Sequence, residues 1–488
     1  MVGRKDRSRS SLFMFVPGDL TDFIPKDHLL RRVNRALDLS WVADLVRDAY
    51  CPDNGAPSID PEVVIRLLIV GYLFDVIHIR ELLREVQVNI AMRWFVGYGL
   101  DEDLPDHSSL SKIADRWGEE RFKRIYQRVV KACVDAGLVD GKKAHIDATL
   151  IRANVSWESL IEMPFQPAPE IKSVSGDPVS EADRGRPAGK RKPGRPRTRP
   201  LKRKKQSTTD PKATMTTSSH NRKLEPCFKQ HTAVDDLHGA ITDVAVTTGE
   251  ANEGAQLLAQ MARVEANTGV KIETVTCDAG YAHATNHEQL EKRRVDAIIP
   301  PQPEKLHPRN VPIRRFKYDA KHQYVRCPRS KKLHFMHETE NGRVYSARAC
   351  DCRDCPWRER CMPASESART IMIVNGYEAL LRARRRKAKG WDETTKELYN
   401  RHRWRVEGKH GEAKERHGPR RAVRRGRAKV AIQAYLTAIV MNLKLLAGLL
   451  VVLWNWLVGA TGFTSNLPEI PTILPDADAV QWYQRKAP

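Results

Sequence analysis

The order of elements predicted between residues 144 and 299 constrains the fold of this chain more than any other feature. The run A-H-I-D-A-T-L-I alternates and is rich in β-branched residues, which predicts a strand. Residues 228–248 then have the pattern of a hairpin that turns over 236–239. A helix, a strand, a second helix and a final strand follow, at residues 252–267, 272–277, 284–293 and 297–299. This order predicts an α/β fold whose first strand is central, flanked by the hairpin and by the later strands.

Two aspartates lie on strands that this order makes neighbours. Asp147 lies inside the first strand, and Asp278 directly follows the strand at 272–277. Ligands of open α/β sheets gather at the strand ends. The sequence therefore predicts that the two carboxylates lie side by side. His145 shares the strand face of Asp147, and a packed role next to the site is expected for it.

A third acid lies on a late helix, predicted over residues 393–416, which contain no proline. Arg403, Glu407 and Lys414 are spaced so that, at 100° per residue, they lie within roughly 40° of one another on one helix face. Tyr399 extends that face by another turn. A carboxylate that binds metal, next to cations that bind phosphate, suits a reaction on nucleic acid.

Together, Asp147, Asp278 and Glu407 predict a magnesium site. Two such ions held roughly 4 Å apart by carboxylates activate an attacking oxygen and stabilise a leaving oxygen at a phosphodiester. Each acid also has an ordinary structural interpretation. Asp147 could form a strand-end turn and Asp278 an Asx turn, and Glu407 could pair with Arg403 or Lys414 along the helix.

The charge of the chain favours a polyanionic partner. Its 83 Lys and Arg against 60 Asp and Glu give a formal net charge of +23, which favours nucleic acid through phosphate contacts and counterion release. No apolar segment follows the charged N-terminal residues, so no signal peptide is expected. The apolar stretch at residues 445–460 is short and interrupted by Asn455, which predicts a buried or dimer-packing helix rather than membrane contact.

Residues 1–140 are helical in pattern and carry no strong strand signal. A helix is predicted from Pro61 to Val76, capped by Asp60 and nearly apolar all round, so it is expected to be buried. A second helix, at 119–136, carries five Lys and Arg along one side. This pattern suits a helical DNA-binding or dimerisation domain, and an ordinary solvated helix face explains those charges equally well.

A strongly basic segment, residues 156–226, separates the first strand from the hairpin. Its stretch 184–205 has twelve Lys and Arg and no acid. The segment lacks the apolar residues that would offset ordering entropy, so it is predicted to be disordered. Within it, R-G-R-P and P-G-R-P-R resemble AT-hook cores, which lie in a narrow A·T minor groove, and a basic solvated tether is the equal alternative. The arginines concerned are Arg184, Arg186, Arg195 and Arg197.

A second insertion, residues 300–370, carries a group of cysteines. A C-x-x-C pair with one cysteine upstream and one downstream could supply four thiolates for a tetrahedral structural zinc. These residues are Cys327, Cys352, Cys355 and Cys361. Cys350 would be spare, and free reduced thiols are the alternative.

The blocks H-I-D-A-T, C-D-A-G-Y and R-W-R-V-E-G-K-H-G-E-A-K resemble those of DDE transposases from bacterial insertion sequences, in the large group related to the insertion-sequence-four and insertion-sequence-five families. The resemblance covers nearly the whole chain, and about 130 residues separate successive acids. It implies a ribonuclease H-like core in which Asp147, Asp278 and Glu407 are catalytic and bind Mg²⁺ or Mn²⁺.

The terminal signature of that family places Tyr, Arg, Glu and Lys at fixed spacing on the late helix. Here Arg, Glu and Lys match, but the position for Tyr holds Asn400, and Tyr399 lies one residue early. The matching cations, and a histidine one turn from the glutamate, are expected to contact DNA. These residues are Arg403, Lys414 and His410.

The resemblance implies an enzyme that binds the terminal inverted repeats of its element as a homodimer, cleaves each DNA end, and attacks target DNA with the freed 3′-hydroxyl. A cytoplasmic, nucleoid-associated bacterial protein is expected. The alternatives are a ribonuclease H-like nuclease without strand transfer and a transposase-derived DNA-binding regulator.

The predicted organisation is α/β with a helical N-terminal domain and two insertions. Its parts are a DNA-binding or dimerisation domain (1–140), the catalytic core (141–299 and 371–450), the disordered basic insertion (156–226), the cysteine-containing insertion (300–370) and a C-terminal tail (451–488).

Overall fold

The computed structural model describes residues 10–13, 16–51, 58–164, 203–217, 223–302 and 311–461. Up to residue 140, the described residues form one hairpin and six α-helices. These are β1 (Ser10–Phe13), β2 (Val16–Asp19), α1 (Leu29–Ala36), α2 (Val42–Val46), α3 (Pro61–Leu73), α4 (Ile79–Val88), α5 (Ile90–Val96) and α6 (His107–Asp135). The hairpin corrects the expectation that this part of the chain lacks strands. Pro17 and Gly18 are poor strand residues, so the sequence gives little sign that Ser10 pairs with Asp19.

Helix α3 begins where the local signals predict. The Asp60 carboxylate accepts the backbone N–H of Glu62 at 2.8 Å, and Pro61 occupies the first helical position. Every residue of α3 is buried, including Glu62 and Arg66, which form an ion pair at 2.9 Å. Helix α3 packs against helix α14 (Arg427–Thr461), so α3 is a core helix, as predicted.

Helix α6 contains a kink at Gly118. This glycine has φ 69°, a left-handed conformation that other residues rarely adopt. The stretch after the kink corresponds to the helix predicted at 119–136. On the second stretch Arg121 pairs with Asp48 at 2.6 Å and Lys131 with Asp135 at 3.0 Å. Both cations therefore have acidic partners within the protein.

Five strands and two helices form the central α/β unit. They are β3 (Lys143–Arg152), β7 (Glu225–Asp235), β8 (Ile241–Thr248), α7 (Leu257–Thr268), β9 (Thr274–Cys277), α8 (Ala284–Lys292) and β10 (Asp296–Ile298). β3 pairs antiparallel with β7 and parallel with β9. β8 then pairs with β7, and β10 with β9. The first strand is therefore central, as the order of elements predicts.

Both ends of the basic insertion form strands, which corrects the expectation that all of 156–226 is disordered. β4 (Leu160–Pro164) pairs antiparallel with β5 (Arg203–Ser207), and β6 (Thr214–Thr216) pairs with β7. The buried Asp210 accepts the backbone N–H of Gly426 at 2.9 Å. Pairing with distant residues orders these ends, and composition does not reveal such pairing. The four arginines of the AT-hook-like runs lie outside the described residues.

The cysteine-containing insertion forms a separate five-stranded antiparallel sheet, whose strands follow one another in chain order. Its elements, with the helix that follows, are β11 (Lys317–Asp319), β12 (Tyr324–Arg326), β13 (Lys332–Thr339), β14 (Gly342–Ala347), α9 (Ala349–Arg353), α10 (Arg358–Cys361), β15 (Thr370–Val374) and α11 (Tyr377–Lys389). The sheet has its own core around Val325, Leu333 and Tyr345. Helix α11 packs against α8 and so joins this sheet to the central unit.

The late helix predicted over 393–416 is present as three consecutive segments. They are α12 (Glu393–His402), a π-helical segment (Arg403–Glu407) and α13 (Gly408–Arg416). Asp392 caps the first segment by accepting the backbone N–H of Thr395 at 2.8 Å. The π segment packs against β3 and β7. It therefore lies over the central strand that carries Asp147.

Helix α14 is the one described helix that is long and apolar enough to cross a membrane, over Arg427–Leu449. Its most apolar window is 89% buried inside the protein. There it shares a core with α3, α6 and β8, and Asn442 bonds to both backbone groups of Ile241 at 2.9 Å. This part of α14 is therefore a core helix, and it includes the first five residues of the apolar segment 445–460. The prediction for the rest of that segment falls on side chains outside the described residues.

Candidate active site

The position of Asp147 follows from strand β3. Residues 145 and 147 share one face of that strand, the face covered by the late helix. The Asp147 Oδ2 lies 3.6 Å from Nδ1 of His410. Burial alone raises the pKa of Asp147, but the His410 imidazole and the backbone N–H of Ala148 outweigh that effect and hold the pKa below its ordinary value. Asp147 is therefore a buried acid that stays ionised.

Asp278 lies beside Asp147 because of the strand register. Ile146 is the register partner of Cys277, so the residue after each lies at the same end of the sheet. Burial, followed by the charges of Asp147 and Glu253, raises the pKa of Asp278 to about 6. One of its oxygens also accepts the backbone N–H of Gly280 at 2.9 Å. Asp278 therefore forms an Asx turn, and it also lies within electrostatic reach of Asp147.

Glu407 completes the group from the late helix, at the end of the π segment. Burial and the charge of Asp147 raise the pKa of Glu407. Its carboxylate lies 3.7 Å from Nε of Arg403, with both side chains more than half exposed. Glu407 is therefore exposed to solvent and also lies within electrostatic reach of Asp147. Asp147 perturbs the pKa of both other predicted acids.

All three predicted DNA contacts have partners within the site, Arg403 through Glu407. Lys414 donates a hydrogen bond to the Thr149 hydroxyl on β3, and burial lowers the pKa of Lys414. His410 is 7% exposed, and the structure places it against Asp147 rather than at the surface. Arg403 is exposed. Among these, Arg403 is the cation best placed to reach a ligand outside the protein.

Tyr399 lies near the acids, although it is one residue early in the sequence. Burial raises the pKa of Tyr399, and the charges of Asp278, Glu407 and Asp147 add to that effect. Its ring makes a T-shaped contact with Trp391, with ring centroids 4.9 Å apart. Asn400 is exposed. The π segment, Arg403–Glu407, begins after this displaced tyrosine.

A buried chain of polar side chains lies beneath the acids. His145 Nε2 lies 2.9 Å from Asp236 Oδ1, and His145 Nδ1 lies 2.6 Å from Thr276 Oγ1. That hydroxyl is in turn 2.8 Å from Nδ1 of His402. The chain ties β3, β9 and α12 together. His145 is fully buried, as predicted for a packed histidine. Sequence analysis did not identify its partners, because they are far apart in the chain.

Glu253 is a fourth acid near the site, which sequence analysis did not identify. A Cβ placed on Gly280 would lie 3.0 Å from Oδ1 of Asp278 and 3.2 Å from Oε2 of Glu253, so both carboxylates lie against the same backbone. Lys229 Nζ lies 2.8 Å from Oε1 of Glu253. The only sequence signal is the phrase T-T-G-E-A-N-E-G after the hairpin.

The described residues contain no group of three or more His, Cys, Asp or Glu side chains close enough to hold a metal as placed. The chemistry of the acids nevertheless suits a hard divalent cation, since oxygen ligands and a raised carboxyl pKa both favour binding a positive charge.

Cys361 lies within electrostatic reach of the other three predicted thiols, although the four do not form a metal-holding group as placed. Burial raises the pKa of Cys361, and the nearby thiols of Cys352, Cys355 and Cys327 add to that rise. Cys350 is exposed and is not part of that group. All nine cysteines are free thiols.

Two family models match the chain. The Transposase domain (DUF772) matches residues 18–116, from the end of β2 into α6. The Transposase DDE domain matches residues 326–447, from β12 into α14, and so includes Glu407. No curated protein matches the chain. Both matched domains are transposase domains, and along the chain one precedes the central strands and the other follows them.

Proposed function

We propose that this chain, a DDE transposase of insertion sequences, binds the terminal inverted repeats of its element as a homodimer, hydrolyses the phosphodiester at each end and joins the freed 3′-hydroxyl to target DNA. The observation that carries this proposal is the convergence of Asp147, Asp278 and Glu407. They come from a central strand, a neighbouring strand end and a late helix, and Asp147 raises the pKa of both others.

The catalytic core is proposed to be ribonuclease H-like. The strand order β8-β7-β3-β9-β10, with β3 parallel to β9 and antiparallel to β7, supports it. In this arrangement the acid of the central strand and the acid after β9 share one end of the sheet. The late helix lies over that end and supplies the third acid.

Asp147, Asp278 and Glu407 are proposed to hold Mg²⁺ or Mn²⁺. Bound there, the metal would activate the attacking oxygen and stabilise the leaving oxygen of the phosphodiester. The residues around it have separate tasks. His410 keeps Asp147 ionised, and Asp278 must release its proton before it can bind a cation. Exposed Arg403 is the proposed contact to a DNA phosphate, and Lys414 orients Thr149 on the central strand.

Two further proposals concern the insertions. Arg184, Arg186, Arg195 and Arg197 are proposed to contact the DNA minor groove. The cysteines Cys327, Cys352, Cys355 and Cys361 are proposed to hold a structural zinc, supported by their C-x-x-C spacing and by the influence of three of these thiols on the pKa of Cys361. DNA processing implies a cytoplasmic location with access to the nucleoid.

Strand transfer is the direct test of this function. The protein would be incubated with Mg²⁺, a duplex carrying a terminal inverted repeat of its element, and a plasmid target. The expected product is plasmid covalently joined to the 3′ end of the duplex. Cleavage without joining would show that the protein is a nuclease without strand-transfer activity. Binding without either reaction would make it a DNA-binding regulator.

A further inference from the structure

A cleft of about 480 Å³ lies between the β11–β12 hairpin and helix α11. None of the carboxylates of the candidate active site lines it. Its walls combine cations and aromatic rings, a combination suited to a polyanion. These residues are Lys317, Arg326, Arg382, Arg385, Tyr318 and Tyr324, and two acids, Asp319 and Glu378, lie among them.

The cleft keeps an excess of positive charge after its ion pairs are counted. Arg382 is neutralised by Glu291, with two contacts of 3.0 and 2.6 Å. Asp319 lies 3.0 Å from Nδ1 of His322. Three other lining cations remain against the two acids Asp319 and Glu378, and Lys332 at the rim adds a fourth. The three are Lys317, Arg326 and Arg385. A phosphate backbone would supply the missing negative charge.

Tyr324 organises the cations on the sheet side of the cleft. The Lys332 ammonium lies 4.8 Å from its ring centroid, and the Arg326 guanidinium lies 5.7 Å from it. Arg326 also donates a hydrogen bond to the Tyr324 hydroxyl at 2.9 Å. Cations held in place by a ring have lost part of their side-chain freedom already, so binding a phosphate costs less ordering.

The cleft leads away from the candidate active site. Gly376 is the N-cap of helix α11 and packs against the carbonyl of Ala284. Ala284 comes six residues after Asp278 in the chain. Helix α11 then runs along α8, with Arg382 on Glu291 and Arg386 on Asp296. The cleft therefore lies on the β10 side of the sheet, whereas α14 and the N-terminal helices pack on the β8 side.

We propose that this cleft binds the phosphate backbone of duplex DNA that flanks the bond cut by the three carboxylates. The inference rests on the proposed function, which places a scissile bond at those carboxylates. The 13 residues of α11 span about 20 Å, which corresponds to about six base pairs of duplex. The DNA held here would lie on the opposite side of the cut from DNA held by the N-terminal helices.

The test is DNA binding by a variant that removes two lining charges, each without an ion pair among the described residues: Lys317→Ala with Arg385→Ala. The probe is a duplex of about 30 base pairs, without divalent metal, across a series of salt concentrations. We expect roughly tenfold weaker binding, and a slope of log affinity against log salt that is smaller by about two, because two phosphate contacts are lost. The charge-conserving pair Lys317→Arg with Arg385→Lys should bind as the parent does.

The matched control is Arg353→Ala with Arg360→Ala, which removes two exposed arginines of the same insertion that do not line the cleft. It should bind as the parent does. An equal loss of DNA affinity in both double-alanine variants, or no loss in either, would refute DNA binding by the cleft. Unimpaired binding of end DNA with loss of strand transfer would assign the cleft to target DNA and overturn the placement proposed here.

Failure of the cleft and failure of the proposed function give different results. If the parent cleaves DNA and the cleft variant binds as the parent does, only the cleft is refuted. If the parent binds DNA through the cleft but never cleaves it, only the proposed function is refuted.

Discussion

At the scale of single residues, Asp147 is the centre of the candidate site. Its charge contributes to the raised pKa of both Asp278 and Glu407, while His410 holds the pKa of Asp147 itself low. One acid is thus ionised and two resist ionisation. A divalent cation would remove that resistance, since it supplies the positive charge that the group lacks.

We predict that Asp278 makes the metal-free protein less stable as pH rises. Its pKa is raised from 3.8 to about 6 by burial, Asp147 and Glu253. Below its ordinary pKa the group is protonated in both folded and unfolded states and costs nothing, whereas above its folded-state pKa the full cost of ionising it is present. Relative to Asp278→Asn, the parent should therefore lose stability between about pH 4 and about pH 6. Denaturant unfolding in EDTA measures this, and parallel pH profiles for the two proteins would contradict it.

The residues of the site differ in how far the sequence predicts them. Asp147, Asp278 and Glu407 each lie in a short block with a strand or helix pattern, so their convergence follows from the order of elements. Glu253 and Asp236 lie in turns, where spacing says little about proximity. Their contacts, with Lys229 at 2.8 Å and His145 at 2.9 Å, depend on tertiary packing that local pattern does not encode.

At the scale of elements, the π segment decides how the late helix presents its side chains. The prediction of a regular helix places Arg403, Glu407 and Lys414 on one face. In the structure Asp147 influences the pKa of Glu407, Lys414 bonds to Thr149, and the charges of the acids also influence the pKa of Tyr399. A local change in helix type is set by packing against β3 and β7, which the sequence spacing does not report.

The seating of α11 on α8 gives a prediction with an internal control. Gly376 and Gly390 flank α11, and both have positive φ, at 74° and 95°. A Cβ on Gly376 would lie 2.3 Å from the carbonyl oxygen of Ala284, whereas a Cβ on Gly390 would meet nothing within 4 Å. Gly390→Ala should cost about 1 kcal/mol through backbone strain alone, and Gly376→Ala clearly more. Unfolding free energies measure this, and equal losses would show that α11 does not seat on α8 as described.

The cysteine cluster predicts a metal content. If Cys327, Cys352, Cys355 and Cys361 bind zinc, the purified protein should carry about one zinc per chain. Cys352→Ser should lose it and destabilise the insertion, since a structural zinc contributes folding free energy directly.

The control for the zinc prediction is Cys350→Ser, which should keep the metal because Cys350 is exposed and outside the cluster. Elemental analysis of the three proteins decides. No zinc in the parent refutes the site, and zinc lost from Cys350→Ser but kept by Cys352→Ser shows that the thiols were assigned wrongly.

At the scale of the whole molecule, the basic segment 165–202 connects two strands that pair with each other, β4 and β5. The register pairs Pro164 with Arg203, so residues 165–202 can be removed and the strands β4 and β5 joined by a tight turn such as Asn-Gly. We predict that this deletion weakens DNA affinity and flattens its salt dependence. Binding to A·T-rich and G·C-rich duplexes across salt concentrations measures it. Affinity and slope equal to those of the parent would show that the segment is a solvated linker.

The fold is predictable from the sequence where local pattern and chain order agree. The buried helix α3, the hairpin of β7 and β8, and the central position of β3 follow from apolar pattern, turn residues and connection rules. The hairpin of β1 and β2 and the pairing of β4 with β5 do not. The first contains Pro17 and Gly18, and the second joins residues about 40 positions apart across a basic segment, so neither has a local signal.

The central claim is that Asp147, Asp278 and Glu407 together hold the metal that cleaves DNA. The most direct measurement is cleavage in Mg²⁺, paired with DNA binding in Ca²⁺, for Asp147→Ala, Asp278→Ala and Glu407→Ala. Metal-binding carboxylates stabilise the transition state more than they hold DNA, so each variant should lose cleavage and keep its DNA affinity. Full cleavage by any one of the three variants would contradict the assignment of that acid.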